Sequence, residues 1–105
     1  MPSRVLLYSP LAKSDLDEVF DYIANELKNP ESALGTVSSI LEAAESLEDF
    51  PFTGSLVKGL PFARDEYRFI VVRNYLVFYR VAESSVFVDR ILYKRRDYIP
   101  LLGLQ

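Results

Sequence analysis

Eight of the twelve Lys/Arg residues fall after residue 62, and most keep company with tyrosines. Arg68 follows Tyr67, Arg80 follows Tyr79, Lys94 follows Tyr93, and Arg95 and Arg96 precede Tyr98. A guanidinium grips phosphate or carboxylate oxygens in pairs, and an aromatic ring stacks on a base. The residue types therefore suit binding to a charged partner, nucleic acid or acidic protein. The chain has no cysteine and no histidine. That removes disulfides, thiolate metal sites, the usual general base and every histidine-dependent triad. Any catalysis must use carboxylates, Arg, Lys, Tyr or Ser, and Arg and Lys at ordinary pKa values are poor bases at neutral pH. No metal site and no cofactor motif is expected.

The charge is unevenly spread. Residues 1–62 carry four Lys/Arg against ten Asp/Glu, and residues 63–105 carry eight against five, within a net charge of −3. An acidic first half and a basic second half suggest two faces with different partners. With 105 residues, half of them hydrophobic, the chain suits a single domain over 1–105 with a real core. No apolar run approaches the roughly 20 residues that cross a bilayer, and Met1–Pro10 lacks the features of a signal peptide. The expectation is a cytoplasmic protein without membrane contact.

The elements that must position these groups follow from hydrophobic period and caps. Arg4–Tyr8 reads as a strand, and Ser9-Pro10 as a helix start. Leu16, Val19, Phe20, Ile23 and Leu27 form the apolar stripe of a helix from Leu11 to about Leu27, with Asp15, Asp17, Glu18 and Asp21 on its outer face. Asn29-Pro30 ends that helix and opens a second, whose stripe runs from Ala33 to Leu47. Small Ala33 and Gly35 suggest a close approach of the two helices. Pro51–Pro61 reads as a loop without phosphate-loop spacing, pinned to the core by Phe50, Phe52 and Phe62. Tyr67–Arg73, Tyr75–Val81 and Val86–Tyr93 are β-rich runs joined by short connections, hence an antiparallel meander. Arg95–Gln105 is a tail containing Pro100. The fold class is α+β, in the order β-α-α-β-β-β, with a helix hairpin packed on an antiparallel sheet.

Alternation along the strands puts Arg68 with Ile70 and Val72, and Arg80 with Leu76 and Phe78. Arg90 and Lys94 alternate with Ile91 and Tyr93. Arg68, Arg80, Arg90, Arg95 and Arg96 are candidates for a basic patch on or beside the sheet. A strand arginine also pairs readily with a neighbouring carboxylate such as Asp89, Glu66 or Asp97.

The segments LAKSDLDEVFDYIANELKNPESA, LEDFPFTGS, EYRFIVVRNYLVFYRV and VFVDRILYKRRDYIPLL together resemble the RelE/ParE toxin superfamily, closer to its ParE branch. The pair YLVFYRV and RILYKRRDY is the most specific element. The resemblance implies the β-α-α-β-β-β fold, a cognate antitoxin that wraps the toxin in a hetero-oligomer, and a free toxin that stops bacterial growth. In the RelE branch it implies ribosome-dependent mRNA cleavage, for which Arg68, Arg95, Arg96 and Tyr98 are the catalytic candidates. Leu76 and Ile70 stand where that branch carries cations. The ParE branch implies inhibition of DNA gyrase by binding, which is the expected function here. Its binding candidates are Arg68, Arg80, Arg90 and Lys94. A basic sheet face and the outside of the helix hairpin are the expected antitoxin surfaces. The alternatives are the ribosome-bound mRNA endonuclease and a non-toxic co-repressor acting with its antitoxin.

Overall fold

The computed structural model of the chain describes residues 3–57 and 67–95. Strand β1 (Val5–Tyr8) leads into helix α1 (Pro10–Asp21). Ser9 caps α1 by accepting a hydrogen bond from the Ala12 N–H at 3.0 Å, and Pro10 occupies the first turn. A π-helical segment (Tyr22–Glu26) prolongs α1, and its Leu27 N–H bonds to the Tyr22 carbonyl. A π turn advances each residue by less than the roughly 100° of an α-helix. Leu27 is thereby carried off the apolar stripe and is 57% exposed, although its spacing from Ile23 predicts burial. Lys28 then takes a left-handed φ of 53° to stop the helix.

Helix α2 (Pro30–Ser46) is capped by Asn29, whose side chain accepts from the Ser32 N–H. Strand β2 (Ser55–Leu56) is a short edge within the segment read from sequence as pure loop. Strands β3 (Tyr67–Val72), β4 (Tyr75–Val81) and β5 (Ser85–Tyr93) form the expected meander. The sheet order is β1-β5-β4-β3-β2. β1 pairs parallel to β5 through Val5–Ser85 to Tyr8–Val88, so the sheet is mixed rather than purely antiparallel. The helix hairpin between β1 and the meander supplies the long crossover that a parallel pairing needs.

The two helices cover one face of the sheet. Ala12, Val19, Ile23, Ala33, Ile40 and Ala44 bury against Val77, Tyr79, Val86, Val88 and Ile91. Leu76, Phe78 and Leu92 form a second buried cluster with Val57 and Phe69. Gly35 does not face the other helix: a Cβ there would touch the Arg73 guanidinium at an ordinary contact distance of 3.5 Å. Ala33, wholly buried, is the small residue inside the core.

Candidate functional site

The strongest polar contact in the core contradicts one expectation. Asp15, read as an outward carboxylate, is 4% exposed. It falls three residues after the buried Ala12 and four before the buried Val19, so helix geometry turns it inward. Its Oδ2 accepts from Arg90 Nε at 2.8 Å and from the Ile91 N–H at 2.9 Å, and its Oδ1 accepts from Arg90 Nη2 at 3.0 Å. The hydrogen bonds to Asp15 hold the Arg90 pKa above its ordinary value against the opposing pull of burial. This fork joins α1 to β5, and the guanidinium serves as an internal clamp.

Arg80 lies elsewhere. The registers Tyr67–Arg80 and Arg80–Phe87 place it between two rings, 5.9 Å and 5.4 Å from their centroids. Its Nε donates to Asp89 Oδ2 at 2.7 Å. The register of β4 and β5 slips by one residue between Phe78 and Tyr79, leaving Asp89 unmatched in the ladder. The bulge thus separates Asp89, which engages Arg80, from Arg90, which engages α1. Val5 and Leu7 lie on β1, whose Leu7 pairs with Phe87, and both remain exposed.

Arg68 pairs in register with Tyr79, one step from the Tyr67–Arg80 pair, and so occupies the opposite face from Arg80. Its Nη1 donates to the Gly54 carbonyl at 2.9 Å, and its guanidinium sits 5.2 Å from the Phe52 ring centre. Lys94 and Arg95 follow the end of β5 and are exposed. Arg96 and Tyr98 lie outside the described residues. The register partners of Arg68 and Tyr93 are four residues apart on β4, roughly 13 Å at the strand rise, and Arg95 lies two residues further on. Arg68, Arg80, Arg90 and Arg95 therefore do not share one patch. They occupy two faces and two ends of the sheet.

A cleft of about 600 Å³ opens at the end where the helix hairpin meets the β3–β4 turn. Glu18 and Tyr22 line the helix side, and Arg73, Tyr75 and Tyr93 the strand side. Tyr75 and Tyr93 meet edge-on at 5.7 Å between ring centres. Burial, then Tyr93 and Tyr22, push the Tyr75 pKa up from its ordinary value. Arg73, with a left-handed φ of 55°, donates to the Thr36 hydroxyl. The cleft can hold a peptide side chain by rings and hydroxyls. Among the described residues no group of three or more His, Cys, Asp or Glu is placed to hold a metal ion, and no helix is long and apolar enough to cross a membrane.

The arrangement of a helix hairpin on a five-stranded mixed sheet has close counterparts. A chain of the chromosomal ParDE TA system from P. aeruginosa is 22% identical, with a TM-score of 0.71 over 87% of this chain and 96% of that one. A chain of the archaeal RelE–RelB complex from Pyrococcus horikoshii OT3 is 16% identical, with a TM-score of 0.61 over 91% and 99%. A chain of the E. coli DinJ–YafQ toxin–antitoxin complex is 13% identical, with a TM-score of 0.60 over 96% and 99%. At these identities the likeness concerns the fold. No curated protein matches the sequence. The family described as "ParE toxin of type II toxin-antitoxin system, parDE" matches residues 6–98. The chain belongs to the ParE toxin family.

For a ParE-family toxin of a type II toxin–antitoxin system, two features escaped the sequence reading. Asp15 was legible in principle from its spacing to Ala12 and Val19, but a carboxylate is ordinarily placed on the wet face. Phe50 and Phe52, expected to pin the loop inward, are 68% and 58% exposed. Tyr79 holds that loop instead, donating to the Pro51 carbonyl at 2.7 Å and accepting from the Gly54 N–H at 2.9 Å. Phe62 lies outside the described residues.

Proposed function

We propose that this ParE-family toxin acts by binding DNA gyrase, not by cutting RNA, and that a cognate antitoxin holds it in check as a hetero-oligomer. The observation that carries the reading is the dispersal of the sheet cations. Arg90 is committed to Asp15 and Arg80 to Asp89, while Arg68 and Arg95 sit at opposite ends of the strands. Phosphodiester cleavage by general acid–base chemistry needs a base, an acid and cations converging within about 3 Å of the reacting atoms. Ile70 packs against the core and Leu76 is buried, so neither position offers a cation to a bound message. Exposed Val5, Leu7, Tyr22 and Tyr93 instead provide apolar anchors of the kind protein partners use. The P. aeruginosa, P. horikoshii and E. coli neighbours all come from toxin–antitoxin systems, which supports an antitoxin as partner.

The test sets purified toxin against gyrase and, in parallel, against ribosomes programmed with message. Supercoiling is expected to stop while the message stays whole. Codon-positioned cuts that vanish in Arg68→Ala or Arg95→Ala would overturn the binding mechanism and install the nuclease.

A further inference from the structure

At the end of the sheet away from the cleft, the segment after α2 shows an unusual combination. Its backbone is fixed and its largest side chains face water. Pro51 and Gly54 are buried, and the Tyr79 hydroxyl bridges them, donating to one and accepting from the other. Arg68 ties the Gly54 carbonyl, and the Thr53 hydroxyl returns to the Phe50 carbonyl. A Cβ on Gly54 would lie 2.5 Å from the Tyr79 oxygen and 2.7 Å from the Phe69 carbonyl, so the close approach requires glycine. Yet Phe50 and Phe52 are more than half exposed, and Leu56 on the following edge strand is 46% exposed. Burying a phenylalanine stabilises a fold, so holding two outward on a braced loop forgoes stability that folding alone would take.

Two guanidiniums from distant parts of the chain converge on the same ring. Arg4 lies 5.5 Å and Arg68 5.2 Å from the Phe52 centroid. Arg4 is further steadied by donating to the Ala82 carbonyl. Asp49, the nearest carboxylate in sequence, accepts from the Ser3 hydroxyl. The surface is thus an aromatic knob flanked by cations, complementary to an apolar hollow edged with carboxylates. Rigid aromatic anchors lose little entropy on docking, and such anchors, with arginine, dominate interface energetics. That favours a long-lived protein complex over a passing encounter.

We propose that Phe50 and Phe52, with Arg4 and Arg68, form a preorganised docking knob for an acidic, apolar segment of the antitoxin. The proposal rests on the antitoxin reading above and adds to it a surface distinct from the cleft and from the Arg80 face. The carboxylates of the partner segment meet Arg4 and Arg68, and its apolar side chains close over the two rings.

The experiment measures binding of purified toxin to its full-length cognate antitoxin, by calorimetry at two salt concentrations. Phe50→Ser/Phe52→Ser is expected to weaken binding by roughly 30-fold or more, in line with loss of two central anchors. Both side chains are more than half exposed, so the variant is expected to stay folded, with only a small drop in melting temperature from the lost Phe52–guanidinium contacts. If it does not, Phe50→Ser alone, at the more exposed position, gives the same reading with a smaller loss. Arg4→Glu is expected to weaken binding and flatten its salt dependence. Unchanged affinity in the double variant, with wild-type toxin binding normally, would overturn the knob and leave the antitoxin reading standing. Absence of wild-type binding would overturn the antitoxin reading itself. A wild-type dimer that Phe52→Ser converts to monomer, or single-stranded RNA retained by the wild type and lost with Phe52→Ser, would overturn the assignment to antitoxin if antitoxin affinity is unaltered.

Discussion

Asp15 is a buried carboxylate that ties α1 to β5. Its two oxygens take three hydrogen bonds from Arg90 and from the β5 backbone at a nearly dry site. Removing one partner of a buried pair leaves the other charge stranded, at a cost of about 3–5 kcal/mol. Asp15→Ala should lower stability by that amount in urea unfolding, and adding Arg90→Met should restore a large part of it. A loss no greater in Asp15→Ala than in an exposed control such as Asp17→Ala would show that the pair is not buried in solution. The tyrosines make a second prediction at this scale. Burial raises the pKa values of Tyr8, Tyr75 and Tyr79 above the ordinary value near 10. For Tyr8 the nearby Glu45 and Glu48 add to the effect, and for Tyr79 the Gly54 N–H and Arg68 partly offset it. The unfolded chain then releases these protons first. Their contribution to stability is complete below pH 10 and is lost as pH rises through the folded-state values. The urea midpoint should fall above pH 10, more steeply in wild type than in Tyr79→Phe.

At the scale of elements, both helix starts were legible because a cap is local chemistry. Ser9-Pro10 and Asn29-Pro30 carry their own instructions, and the caps form as their types require. The three long strands were equally plain in their β-branched and aromatic runs. What escaped was everything settled by distant partners. Two residues of β2 have no signal apart from the β3 edge they join. The parallel pairing of β1 with β5 joins residues about 80 positions apart, which no local period encodes. The bulge at Asp89, and with it the different fates of Asp89 and Arg90, depends on β4 register. The basic patch dissolved for the same reason: alternation holds along β3 and β4, the bulge breaks it in β5, and register decides which strand faces coincide. Glycine placement offers a check on the loop. Gly54→Ala should destabilise the fold and release the Tyr79 hydroxyl, seen as lost hydrogen-exchange protection of the backbone amide at position 54 relative to wild type. An alanine variant of wild-type stability would mean that the loop is not braced as described.

At the scale of the molecule, and among the described residues, the acidic first half and basic second half do not separate into an acidic face and a basic face. Arg90 is drawn under α1 by Asp15, and Arg73 reaches across to Thr36 on α2, so cations of the second half bind the hairpin to the sheet. Part of the sequence asymmetry is therefore spent on internal cohesion. Exposed apolar side chains include Tyr22 and Tyr93 at the hairpin cleft, Val5 and Leu7 on β1, and Phe50 and Phe52 on the loop after α2. On the gyrase-binding reading proposed above, a toxin built this way works by occupying proteins. The most direct test is a supercoiling titration with purified gyrase, relaxed plasmid and increasing toxin. Supercoiling is predicted to fall to background as toxin approaches the gyrase concentration, and to return when the cognate antitoxin is added. Supercoiling that persists at a large excess of folded toxin would contradict the gyrase-binding reading.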